Sequence, residues 1–84
     1  MNVSRSEQRV LRVLAQGGRI LHFKDERGQL VEVACVSREG FHLSCPLDLF
    51  KQLRRRRLVA STNGGPYLIS KVGLLALRSV HARG

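Results

Sequence analysis

The sequence predicts an α+β fold of small winged-helix-like type: helix, β-hairpin, helix, hairpin wing and C-terminal helix in that order. Three observations lead there. Capping and turn residues break the 84-residue chain into short segments. Within those segments the apolar spacing switches between the helical period and the strand alternation. Finally, a helix with an arginine-rich end is followed by a short hairpin and then a further helix. That is the order in which a helix can enter a DNA groove while the hairpin tip touches the backbone.

The first helix starts at Ser4, which with Glu7 forms a capping-box pattern, and ends at Gly17-Gly18. Val10, Val13 and Leu14 share one side, whereas Arg5, Arg9 and Arg12 recur at spacings of four and three on the other. Arg19 to Lys24 and Gln29 to Val36 are rich in β-branched and aromatic residues, and Asp25-Glu26-Arg27-Gly28 joins them as a turn. Arg38-Glu39-Gly40 makes the next turn, and Phe41 to Ser44 is a short third strand. Cys45-Pro46 opens the second helix, because proline suits a first helical position and Asp48 suits the helix dipole. It runs to about Arg55–Arg57, with Leu49, Phe50 and Leu53 inward and Lys51, Gln52, Arg55 and Arg56 outward.

Leu58 to Thr62 and Tyr67 to Ser70 flank the tip Asn63-Gly64-Gly65-Pro66 as a second hairpin. Ser70 caps a last helix from Lys71 to about Ala82. Its apolar residues Val72, Leu74, Leu75, Leu77 and Val80 surround most of the circumference, so a homodimer through this C-terminal helix is expected.

Composition sets the class. Hydrophobic residues make up 43% of the chain and aromatic ones 5%, so the expected core is Leu, Val, Ile and Ala around Phe23, Phe41, Phe50 and Tyr67. At this length one domain, residues 1–84, is expected. Its longest apolar stretch, Val72 to Leu77, is too short for a membrane span, and Met1-Asn2-Val3-Ser4-Arg5 holds no signal-peptide core, so no membrane association and a cytoplasmic location are expected. The net charge is +9 and unevenly placed. Residues 1–48 carry seven Lys/Arg against six Asp/Glu, whereas residues 49–84 carry eight Lys/Arg and no acid. Such asymmetry favours an acidic partner.

The candidate binding site is therefore Lys51 with Arg54, Arg55, Arg56 and Arg57, since clustered guanidiniums suit bidentate contact with phosphate or carboxylate oxygens. Lys51, Arg55 and Arg56 are expected on the solvent side, with Arg54 and Arg57 extending the positive charge around the helix end, so replacing Arg55 and Arg56 by alanine should leave the fold intact. Contact with about five phosphates would give duplex affinity a log–log salt slope of roughly −4.5. Arg5, Arg9 and Arg12 form a secondary basic face. His22, Cys35, His42 and Cys45 have the ligand types of a zinc site but poor spacing for one, and Cys35 alternates with Val31 and Val33 as a buried small residue should. No nucleophile–base pattern, paired carboxylates, phosphate loop or cofactor motif is present in the sequence, so a binding protein and not an enzyme is expected, with no metal and no cofactor.

Several stretches, in this order, resemble the YjhX-like toxin family of bacteria: Ser4-Arg5, Glu7-Gln8-Arg9, Leu14-Ala15, Gly17-Gly18-Arg19-Ile20, Arg38-Glu39-Gly40, Phe50-Lys51 with Leu53, Asn63-Gly64 and Pro66-Tyr67. The resemblance spans nearly the whole chain. It implies the toxin of a toxin–antitoxin pair that inhibits DNA topoisomerase I by direct contact, with that enzyme and a cognate antitoxin as partners. The alternative from the residue pattern is a winged-helix DNA-binding transcriptional regulator, whose partner is DNA.

Overall fold

The computed structural model describes residues 2–82, with the side chains of residues 80–82 left aside. Helix α1 spans Arg5–Ala15 and starts at the predicted capping box. The Glu7 amide donates to the Ser4 hydroxyl at 3.1 Å, and the Glu7 carboxylate accepts from the Ser4 amide at 2.9 Å. Its buried side adds Leu11 to the expected Val10 and Leu14, while Val13 is half-buried.

Strands β1 (Arg19–Lys24), β2 (Leu30–Val36) and β3 (His42–Leu43) form an antiparallel meander. Asp25 holds the first turn by accepting from the Arg27 and Gln29 amides, each at 2.9 Å. Helix α2 spans Leu47–Arg55, with Pro46 as the residue before its first turn. Strands β4 (Val59–Ser61) and β5 (Tyr67–Ile69) form the second hairpin, and α3 spans Lys71–Ala82.

The α+β class stands: among the described residues there are three helices and one five-stranded antiparallel sheet, ordered β3-β2-β1-β5-β4. The hairpin after α2 is joined to the meander through β1, with Ile20 opposite Tyr67. It is part of the main sheet, and the element before α2 is a strand.

Register decides which face is covered. Ile20 pairs with Cys35 and Cys35 with Leu43, and Val59 pairs with Ile69. These residues belong to, or pack on, one core with Val10, Leu11, Leu14, Phe50, Leu53, Ala76 and Leu77 of the helices. The sheet is therefore lined by helices on one face and bare over most of the other, where Val36 at the end of β2 is nonetheless buried. Gly73 lets α3 approach closely, because a Cβ there would lie 2.3 Å from the Leu58 carbonyl oxygen.

Two of the four expected core aromatics are corrected by this arrangement. Phe50 is buried and stacks edge-on against half-buried Tyr67 at 4.8 Å between ring centroids. Phe23 is 46% exposed because it pairs with Glu32 on the bare face. Phe41 is 74% exposed because it ends the turn before a third strand of only two residues. Val31 is exposed although it alternates with buried Val33 and Cys35, since it lies at the far end of β2.

Candidate binding surface

Helix α2 ends with five basic residues in reach of its last turns, and the structure divides them. Lys51, Arg54, Arg55 and Arg57 are exposed. Arg56 is not one of the outward cations. Its Nη1 lies 2.6 and 2.8 Å from the two carboxylate oxygens of Glu7, and its Nη2 donates to the Asn2 carbonyl. Glu7 is 1% exposed, and Gln52 adds a hydrogen bond to its Oε2 at 3.2 Å. With Ser4 accounted for, the buried carboxylate has a donor on every side, as a buried charge requires.

The expectation that Arg56 faces solvent is thus overturned, and its pairing with buried Glu7 argues against removing Arg55 and Arg56 with the fold intact. The reason is periodicity: Phe50, Leu53 and Arg56 recur every three residues on the core side, and Gln52 and Arg56 are one turn apart.

Of the exposed members, Arg54 and Arg57 are anchored by different means. The Arg54 guanidinium sits 5.5 Å from the centroid of the Phe50 ring, a cation–π distance. Arg57 adopts φ 59°, the left-handed conformation that closes the helix. Its carbonyl accepts from the Ser70 hydroxyl at 2.7 Å, and that hydroxyl accepts from the Gly73 amide at 3.0 Å. Arg57 is thereby fixed between α2, β4 and the start of α3.

Beyond it, the Asn63-Gly64-Gly65-Pro66 tip is tied down through the Gly65 carbonyl. That oxygen accepts from the Ser61 hydroxyl at 2.6 Å and lies 3.1 Å from His22 Nε2.

Arg5, Arg9 and Arg12 are all exposed along α1, as the spacing predicts. Arg9 lines a cleft of about 530 Å³ between the starts of α1 and α2, where Asp48 lies on the opposite wall. An acid in the same cleft makes this the weaker anion-binding face.

The zinc-type residues are separated. His22 is engaged with Gly65, and its ring meets Tyr67 edge-on at 5.4 Å. His42 pairs with Val36, so it points away from the core face that holds Cys35. Burial pushes the Cys35 thiol up to about 11, with Cys45 adding to the rise, and burial also raises Cys45. Both are free and protonated at neutral pH. On α3, Gly73, Ala76 and Leu77 face inward while Val72, Leu74 and Leu75 are exposed; Val80 lies outside the described side chains. No described helix is long and apolar enough to cross a membrane.

Taken together, the geometry defines a small α+β domain whose densest cationic patch is one helix end, beside the core residues Phe50 and Leu53. Its family follows from the comparison of sequences. Residues 1–83 match the YjhX toxin family, described as "Putative toxin of bacterial toxin-antitoxin pair", and the chain belongs to that family. Membership implies a cognate antitoxin as partner.

A UPF0386 protein of Myxococcus xanthus is 64% identical over 78 residues, covering 92% of each chain. Another, from Cereibacter sphaeroides, is 55% identical over 80 residues, covering 94% of this chain and 92% of its own. A third, from Chelativorans, is 51% identical over 80 residues, covering 94% of each. No solved structure matches the chain.

Proposed function

We propose that this chain acts by binding, as a toxin that inhibits DNA topoisomerase I by direct contact through the exposed end of α2. The observation that carries the binding surface is the set Lys51, Arg54, Arg55 and Arg57, exposed together in a half of the chain that holds no acid. Four unneutralised cations exceed what a helix dipole of about half a charge requires. The choice of topoisomerase I rests on the family resemblance. The reading needs no catalytic centre, metal or cofactor in the chain itself.

Plasmid relaxation by topoisomerase I tests it. The protein should slow relaxation, and a variant with alanine at Lys51, Arg54, Arg55 and Arg57 should stay folded and lose that effect. Relaxation that proceeds unchanged with the protein in large excess overturns the topoisomerase reading. Direct titration of duplex DNA separates the runner-up, the winged-helix transcriptional regulator. With Arg56 engaged by Glu7, four phosphate contacts give a log–log salt slope of roughly −3.6. A regulator must in addition prefer one DNA sequence to another. The exposed Val72, Leu74 and Leu75 leave an apolar strip on α3, but Lys71 and Arg78 beside it disfavour the expected contact with a second copy of this cationic chain there.

A further inference from the structure

The bare face of the sheet is the large surface to which none of the preceding readings gives a role. Register places its side chains in rows. Leu68 neighbours Arg19, which pairs with Val36; Leu21 pairs with Ala34; and Phe23 pairs with Glu32. Leu68 is 53% exposed, Phe23 is nearly as open, Leu21 and Ala34 are half-buried without packing on the core, and Val36 at the end of its row is buried, so the open apolar area lies at Leu68, Leu21, Phe23 and Ala34. A sheet normally covers an apolar face with a second layer.

Charge selects what can cover this one. Residues 19–42, which form β1, β2, β3 and their turns, contain four Lys/Arg and four Asp/Glu, so this segment is neutral and the whole +9 lies elsewhere. An acidic partner is drawn to the cationic helix end, whereas two copies of a +9 chain meet with little repulsion over a neutral segment such as this one. The α3 strip is a poor meeting place for two copies, because it carries Lys71 and Arg78 and no acid. On the bare face, Arg19 and Glu32 have opposite charge, stand in different rows and form no ion pair within the chain among the described residues. A two-fold axis between them would bring Arg19 of one copy to Glu32 of the other, twice, around an apolar centre.

We propose that this face docks a second copy of the chain, sheet against sheet, with Leu21, Phe23, Ala34 and Leu68 at the centre and reciprocal Arg19–Glu32 pairs beside them. The dimer leaves both cationic helix ends free, and it holds whether or not those ends meet topoisomerase I.

Sedimentation across a wide concentration range, with circular dichroism as the check on folding, tests the proposal. The chain should dimerise. Phe23→Glu and Glu32→Arg should each stay folded and weaken the dimer by about tenfold or more. The double exchange Arg19→Glu with Glu32→Arg should bring it back towards its original strength, since the pairs re-form with reversed sign. Leu75→Glu should leave it unchanged. A monomer up to about 1 mM overturns the proposal. A dimer indifferent to Phe23→Glu and Glu32→Arg, or one lost on Leu75→Glu instead, overturns it equally.

Discussion

The C-terminal ends of α1 and α2 are built on one hydrogen-bond pattern and closed by different residues. At the end of α1, the Gly18 amide donates to Val13 at 3.0 Å and the Gly17 amide to Leu14 at 3.1 Å, with Gly17 at φ 100°. At the end of α2, the Leu58 amide donates to Leu53 at 2.9 Å and the Arg57 amide to Arg54 at 3.0 Å, with Arg57 at φ 59°. The left-handed position is glycine's because a Cβ there costs about 1–2 kcal/mol.

Around α1 the glycines serve packing, since a Cβ on Gly18 would lie 2.7 Å from the Val13 carbonyl oxygen and 2.8 Å from that of Val36. At α2 the chain accepts the strain, supports it with the Ser70 hydroxyl, and so directs one more cation out of the helix end. One end closes without strain at a glycine, and the other accepts strain at a residue that carries charge.

That contrast can be broken at four places. The largest effect belongs to Arg56→Ala, which should destabilise the fold by about 3–5 kcal/mol because it strands a buried carboxylate. Urea unfolding measures it, and the loss should far exceed that of Arg55→Ala, which as an exposed change should stay within about 0.5 kcal/mol. Raising the pH probes the core on which both ends are mounted. The folded Cys35 thiol titrates near 11 against an unfolded value of 9.0, so its contribution is complete below pH 9 and is lost as the pH climbs towards 11. The loss is about 2–3 kcal/mol, checked by thermal unfolding of wild type against Cys35→Ala, whose curve should be flatter across that window.

Gly17→Ala should cost about 1–2 kcal/mol at the α1 end, since its Cβ meets the Arg38 side chain at 3.2 Å as well as the strained φ. Arg57→Gly should act in the opposite direction, raising stability by about 0.5 kcal/mol once the greater freedom of an unfolded glycine is deducted. The same variant should inhibit plasmid relaxation less well than wild type. A gain in stability with inhibition unchanged would mean that the strain at Arg57 serves no contact.

Most of the element order was legible in the sequence because caps and turns are local. Ser4 with Glu7, Asp25 with Gly28, and Ser70 each act within about one turn of chain. What escaped was long-range. Glu7 reads as a cap, which it is, but its second role depends on Arg56, 49 residues away. The signal was available in the three-residue recurrence of Phe50, Leu53 and Arg56, which puts an arginine on the buried stripe. Hydrophobicity alone puts Phe23 and Phe41 in the core, and only register and helix placement reveal that Phe23 lies on the uncovered side. In the same way, the arginine run read as one patch because sequence adjacency hides that successive helical residues face different directions.

The central strand carries a consequence for how the molecule is made. One edge of β1 pairs with β2 across a short turn, while the other waits for β5, whose Tyr67 lies opposite Ile20. During synthesis from the N-terminus, the β1–β2 hairpin can form well before the sheet can close. A chain stopped after Arg57 would display the bare β1 edge, whose unpaired amides and carbonyls invite pairing with other chains. The last third of the polypeptide therefore protects the first third from aggregation.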